Sequence, residues 1–600
     1  MVAVRPRHEI PVEHTWNAES VFENRAAWNT AAENLLNLLP VVAQYQGRLG
    51  DGANVLADFQ EKADEVIRLL MKLYFYATMS AAVDSNDKEA AIMQSKVTGM
   101  YGQTMAALAF SQPEILAIGR DTLETWMQQE TRLGLMRQYV DNLFRQQQHV
   151  RSVEVEQVMG LVGDPFATMR DVYDKLTNAD LVFKAAVDSS GQAVPVAQSN
   201  ISSLMHHPDR EVRRTAWENY CDEFLAHKNT LAGLYLTSVK QDVFEMRVRG
   251  FKSSLEASLF ENNIPREVFD SLINTYKENI PTWHRYWAVR RKALGVDTLH
   301  PYDIWAPVAA EQPDVPYTQS VDWISAGLAP LGEEYVNVLR KGCLEERWVD
   351  IYPNEGKSEG AFSFGTHDTH PFIMMSYDDT LGGMSTLAHE LGHSMHSYLS
   401  RQTQPRLYSG YSLFIAEVAS NFNQAMTRQY LREQYADDAN FQIALIEEAM
   451  SNFHRYFFIM PTLARFELEV HERVERGEGV NADDLIELMT ALFKEGYGDE
   501  MHIDHERVGI TWATFGHLYS AFYVYQYATG ISAAHALADA ITEHGEDAAK
   551  RYREALSAGS SMYALDALLH AGVDMRQPDA VKTTFSVLAG MVDRLEQLTS

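Results

Sequence analysis

Cysteine is almost missing from this chain: among 600 residues there are only Cys221 and Cys343. Two such residues, far apart, build neither a disulfide framework nor a thiolate zinc site. Basic charge is scarce too, with 51 Lys and Arg against 82 Asp and Glu and a net charge of -31. A phosphate backbone is bound through surplus Lys and Arg, so nucleic acid is excluded as an expected partner. The acid surplus suits solubility and the attraction of basic peptides. No apolar run reaches the length of about 18 residues that spans a bilayer, so no membrane partner is expected. The first ten residues lack the apolar core of a signal peptide. Cytoplasmic residence is the expectation. There is no repeat of fixed period and no low-complexity segment, and nothing in the sequence marks an oligomeric state.

What is present is ordinary in bulk, with 46% hydrophobic and 22% charged residues, as in soluble globular proteins. The length exceeds what one core usually serves, so several subdomains are expected. Apolar residues recur at helical spacing over long stretches, such as Phe59 to Met79, Lys88 to Phe110 and Leu123 to Phe144. Two patches break this texture. Leu181–Val187 and Ala193–Val196 flank Asp188-Ser189-Ser190-Gly191, which predicts a hairpin. From about Trp348 to Tyr377, Gly360–Phe364 and Pro371–Met375 read as short strands. The fold class is therefore all-α, predominantly helical, with a small β patch close to the candidate metal site.

That site begins with His389-Glu390-Leu391-Gly392-His393, an instance of H-E-x-x-H. Residues four apart lie one above the other on a helix, so both imidazoles can reach one ion. Glu390 projects to the side, where it can deprotonate a metal-bound water. The surrounding 385–399 contains no proline, and Ser385, preceded by Gly382 and Gly383, is a plausible N-cap. Gly392 costs about 1 kcal/mol relative to alanine inside a helix; it is explained if another backbone or a ligand comes close on that face.

A catalytic zinc usually takes three protein ligands and keeps one position open. Between His393 and Glu433 the only acidic residue is Glu417, set among Leu413, Phe414, Ile415, Val418 and Ala419. A carboxylate in such surroundings is costly to bury unless it is paired or binds a metal, which makes Glu417 the third ligand. His396, at i+7 from His389, is placed behind the ligands, since three donors along one straight helix do not surround a tetrahedral ion. The longer metzincin pattern fails at positions 396 and 399. An amphipathic helix can carry two exposed histidines and a glutamate without any metal; Glu417 tips the balance toward one Zn2+ per chain.

Two further features bear on peptide chemistry. A strand beside a zinc site can pair with an extended peptide, although the 360–377 strands can equally be a small packing hairpin. Downstream, Phe515–Gly530 is dense in His and Tyr. Tyr519, Tyr523 and Tyr527 fall at i, i+4 and i+8 and would share a helix face, with Tyr525 on another flank. Tyrosine hydroxyls or a histidine N–H can stabilise the oxyanion formed when water attacks an amide, but such stripes are more often core.

Taken together, several segments resemble the thimet-oligopeptidase-like zinc peptidases, and within them the oligoendopeptidase F branch. They are His389–His396 (H-E-L-G-H-S-M-H), Ala416–Ser420 around Glu417, Phe522–Gly530, Arg249–Glu256 and Ala571–Asp574, in order over about 250 to 575. The resemblance implies a two-lobed helical molecule with a deep substrate channel. Residues 1–200 would form an N-terminal helical lobe, with an oligoendopeptidase F-type domain at about 110–185, and residues 201–600 the catalytic region. It implies a metalloendopeptidase that hydrolyses internal bonds of short oligopeptides. His389, His393 and Glu417 would then be the zinc ligands and Glu390 the general base. His517, with Tyr519, Tyr523 and Tyr525, would stabilise the transition state. A helical zinc carboxypeptidase and a non-catalytic zinc-holding peptide-binding protein are the rival readings.

Overall fold

A computed structural model describes residues 4–600. Helices make up 72% of the protein and the sheets are small, as the apolar spacing predicts. The chain divides into two compact units, each built from three separate stretches. Both draw on residues before and after position 200, so that boundary is one of sequence rather than of packing.

The first unit comprises Met1–Gln148, Asp314–Thr427 and Ile541–Ala571. Its centre is the helix Ala53–Val83, in which Leu56, Phe59, Ala63, Val66, Leu70, Leu73 and Ala77 are buried. They alternate three and four residues apart, which keeps one continuous apolar stripe facing inward. Trp28 and Leu35 of the helix Arg25–Ala43 and Met93 and Val97 of the helix Lys88–Leu108 join the same core. By length and composition Ala53–Val83 could cross a membrane, contrary to the reading of the sequence; half of its most apolar stretch is buried inside the unit, as in a core helix. The single helix expected from Leu123 to Phe144 is instead two, Arg120–Gln129 and Arg137–Gln147. Glu130 between them is extended, and its carboxylate accepts the Arg132 N–H of a 3-10 turn.

The non-helical patch forms a three-stranded sheet of β3 (Val349–Asp350), β4 (Phe362–Phe364) and β5 (Phe372–Met374). The hairpin strands β1 (Ala186–Val187) and β2 (Ala193–Val194) belong to the second unit and pair antiparallel, at the predicted place but shorter than expected. Central β5 runs parallel to β3 and antiparallel to β4. Its Phe372 stacks on Phe75 of the core helix, with ring centroids 5.5 Å apart. Asp350 anchors the sheet from below. Its buried carboxylate takes Arg7 at 2.5 Å, Lys357 at 2.8 Å and the Trp16 N–H at 3.2 Å. Burial alone would raise the Asp350 pKa, but Arg7 and Lys357 hold it below the usual carboxylate range.

The second unit comprises His149–Pro313, Arg428–Ala540 and Gly572–Ser600. Trp283 and Trp287 of the helix Arg266–Ala293 pack on Phe458 and Tyr497 in its aromatic core. Cys221 in this unit and Cys343 in the first are both buried and unpaired.

Asp350→Asn leaves the Lys357 ammonium buried without its carboxylate and should cost about 3–5 kcal/mol of stability. Because folding lowers the Asp350 pKa, its contribution is complete above about pH 4 and is lost as the pH falls further. Thermal unfolding below pH 4 should therefore fall more steeply for the wild type than for D350N; parallel profiles would refute the assignment.

Candidate active site

The H-E-x-x-H turn lies in the helix Leu381–Thr403, called the histidine helix below. It starts one turn earlier than predicted. Thr380, not Ser385, is the N-cap, and its hydroxyl accepts the Gly383 N–H at 3.0 Å. Glu417 lies in a second helix, Leu413–Gln434. The two approach closely at Gly392. A Cβ on that residue would stand 2.3 Å from the Ala419 carbonyl oxygen and 2.6 Å from the Ser420 Cα. The glycine is explained as expected, by a neighbouring backbone that leaves no room for a side chain.

This approach gathers the predicted ligands. One donor atom from each of His389, His393 and Glu417 lies within 4.8 Å of the other two. His389 Nε2 is 3.5 Å from one Glu417 oxygen, and His393 Nε2 is 4.0 Å from the other. Donors placed 2.0–2.2 Å from a tetrahedral zinc ion stand roughly 3.4 Å apart, so the spacing fits such an ion with little adjustment. Burial, then His389, pushes the His393 pKa down to about 4. Its imidazole is therefore neutral, the form that ligates metal.

Neighbouring groups aim these donors. The Ser420 hydroxyl donates to a Glu417 carboxylate oxygen at 2.9 Å, and the Asn421 amide holds the Glu417 carbonyl at 2.7 Å. Gln424, one helical face-repeat after Glu417, donates through its amide nitrogen to the Ser385 carbonyl and hydroxyl at 3.3 and 2.8 Å. Its amide oxygen therefore faces His389 Nδ1, at 3.3 Å. An amide oxygen only accepts, so Nδ1 carries the proton and Nε2 keeps its lone pair for an ion. The sequence patterns assign no role to Ser420 or to Gln424; their spacing of three and seven from Glu417 was the available signal. His396 stands apart from the ligands. Its buried ring stacks on Tyr411 at 3.5 Å, and Tyr411 in turn donates to the His393 carbonyl at 3.3 Å.

Glu390 is 5% exposed, and one of its carboxylate oxygens has no hydrogen-bond partner. Burial pushes its carboxyl up to about 7; His389 pulls it down, Glu417 raises it, and the backbone N–H of Ser363 lowers it. Ser363 lies in β4, whose own hydroxyl meets that of Ser394 on the histidine helix at 2.8 Å. β4 is an edge of the sheet. Since alternate residues of a strand bond to opposite sides, the Ser363 backbone faces outward toward Glu390, leaving the outer edge of β4 beside that carboxylate.

The His and Tyr segment belongs to the second unit and is not the single helix expected. Gly516–Tyr519 is a 3-10 turn, and a helix starts only at Tyr525. Phe522 between them has φ +51°, a conformation rare for a bulky residue. It is held by its neighbours. The Phe522 N–H donates to the buried Glu467 carboxyl at 2.7 Å, and the Ala521 carbonyl accepts the Ser258 hydroxyl at 2.9 Å. Ser258 rides on the helix Ser254–Glu261, capped by Ser253 of the upstream Arg249–Glu256 segment. The turn separates Tyr519 from the predicted face: it packs on Tyr173 with centroids 4.6 Å apart, and its hydroxyl is buried. Tyr525 packs on Phe269. His517 instead lies 5.9 Å from both Tyr523 and Tyr527, whose hydroxyls are 3.2 Å from each other. Tyr527 is the member of this group outside the predicted set. Burial, then Arg455 and Arg170, pushes the His517 pKa down to about 4, so its ring is neutral at physiological pH.

A helical protein with two histidines and a glutamate on one turn and a carboxylate from a neighbouring helix has the construction of a metallopeptidase. Residues 203–587 match the family model described as Peptidase family M3, and residues 114–183 the one described as Oligopeptidase F. The chain is 35% identical over 593 residues to Oligopeptidase PepF of Bacillus subtilis, covering 99% of this chain and 88% of that one. A crystal structure of a putative peptidase from Chlamydophila abortus matches with a TM-score of 0.88 at 28% identity, covering 99% of this chain and 100% of that one. Oligoendopeptidase-F from Enterococcus faecium matches with a TM-score of 0.74 at 27% identity, over 95% and 98% of the two chains. The chain belongs to peptidase family M3, in its oligoendopeptidase F branch.

Gly392→Ala should force the two helices apart, lower stability by about 1–3 kcal/mol and empty the metal site, as read by metal analysis of the purified protein. Full metal content at unchanged stability would refute the close approach as the organising contact.

Proposed function

We propose that this M3-family peptidase is a zinc-dependent endopeptidase that hydrolyses internal bonds of short oligopeptides. The observation that carries the reading is the grouping of His389, His393 and Glu417 donors within 4.8 Å, beside a buried Glu390 oxygen that no protein group satisfies. A zinc ion held by these three residues would act as a Lewis acid, polarising the scissile carbonyl and acidifying water.

The residues of the chain supply the rest. The outer edge of β4 offers backbone groups to an extended peptide by strand addition, which lays the substrate alongside Glu390. Glu390 takes the proton of the attacking water on its unpaired oxygen and returns it to the leaving amine. Its burial keeps bulk water from competing for that proton. Stabilisation of the oxyanion is assigned to His517 and to one or more of Tyr519, Tyr523 and Tyr525. The support is the family membership and, within the second unit, the clustering of His517 with Tyr523. A neutral His517 can donate through one ring nitrogen.

Two variants test this reading on an internally quenched peptide with a blocked C-terminus. Glu390→Gln should retain metal and lose nearly all turnover; substantial residual activity would refute the base assignment. His517→Phe should lower kcat by about 100-fold, the usual cost of one oxyanion donor, with little change in KM. Failure of the wild type to cut this blocked peptide, with release of the last residue from an unblocked one, would favour a carboxypeptidase instead.

A further inference from the structure

A cavity of about 210 Å³ in the first unit is lined by Arg401, His367, Thr369, Trp348 and Tyr398, together with Lys341 and Glu346. Arg401 belongs to the last turn of the histidine helix. Its Nη2 donates to the Gly365 carbonyl at 2.8 Å, just beyond β4. Its Nη1 is buried with no hydrogen-bond partner, and no carboxylate approaches the guanidinium among the described residues. Removing a charge from water without a counter-ion is expensive. Two neighbours share the deficit: His367 Nδ1 and Thr366 Oγ1 are also buried and unpaired.

The one acidic wall of the cavity is already engaged. Glu346 takes Lys341 Nζ at 2.7 Å and the Trp348 indole N–H at 3.1 Å, with His370 Nδ1 at 3.7 Å. The lining of the cavity thus carries surplus donors and surplus positive charge, with aromatic walls beside them. From this arrangement we infer a binding site for a small molecule bearing an oxyanion, a carboxylate or a phosphate group. The oxyanion would accept from Arg401 Nη1, whose two N–H bonds point to no protein acceptor, and from His367. The rest of the ligand would lie against Trp348 and Tyr398. Arg401 also holds Gly365, so an occupant would tie the end of β4 to the histidine helix. This inference stands independently of the peptidase reading.

The test is calorimetric titration of the intact, metal-loaded protein with inorganic phosphate and, separately, with acetate, at constant ionic strength. Saturable binding at one site per chain by either anion is expected, weakened at least tenfold in R401Q. Tighter phosphate than acetate would point to a phosphorylated ligand, and the reverse to a carboxylate. If R401Q does not fold, H367A should show weaker binding in the same direction. Phosphate could also meet the metal, so H389A serves as a control: binding that survives R401Q and disappears in H389A overturns the proposal. Absence of saturable binding in the wild type, or equal binding in R401Q and H367A, overturns it too.

Discussion

The candidate metal site depends on one steric contact, the backbone approach of two helices at Gly392. Only a residue without a side chain lets the Ala419 carbonyl come this near. Three ligand atoms must converge to within a few tenths of an ångström of a common centre, and helices separated by even one methyl group would miss that centre. The spacing of His389 and His393 is a property of a single helix, whereas the position of Glu417 relative to them is a property of this packing. Ser420 and Gln424 then refine the aim, one holding the carboxylate and the other setting the His389 tautomer.

Polar groups in the interior follow a consistent logic. Asp350 is buried but fully served by Arg7, Lys357 and Trp16, and it works as a staple between the N-terminal segment and the sheet. Glu467 is buried too and holds the strained Phe522 at its amide; burial pushes its carboxyl up to about 8. Glu390 and Arg401 differ from Asp350, and Glu467 shares part of their character, since its second carboxylate oxygen is buried without a partner. Each keeps an atom that the protein leaves unsatisfied, and in a well-packed interior such atoms mark places where something other than the protein completes the bonding.

Much of this is legible in the order of the residues. The helical texture, the hairpin at 186–194, the strands before the histidine helix and the grouping of His389, His393 and Glu417 all follow from local patterns or from the cost of burying a carboxylate. The departures also have identifiable causes. Ser385 resembles an N-cap in type, but Thr380 lies where the chain turns, and Ser385 faces inward to Gln424. The i, i+4, i+8 tyrosines suggest a continuous helix; the turn at Phe522 breaks it because Glu467 and Ser258, remote in sequence, reward a conformation the local residues disfavour.

The sequence on its own determined the identity and chemistry of the donors, since imidazole, carboxylate and phenol carry their reactivity wherever they are placed, and a four-residue spacing suffices to align two of them. Tertiary structure alone decided which groups meet: Gln424 with His389, Ser363 with Ser394, and Arg401 with no carboxylate among the described residues. Such pairings depend on contacts between segments that are often tens of residues apart, and on backbone approaches measured in tenths of an ångström. A periodic pattern records which face of a helix is buried, but not what that face will touch.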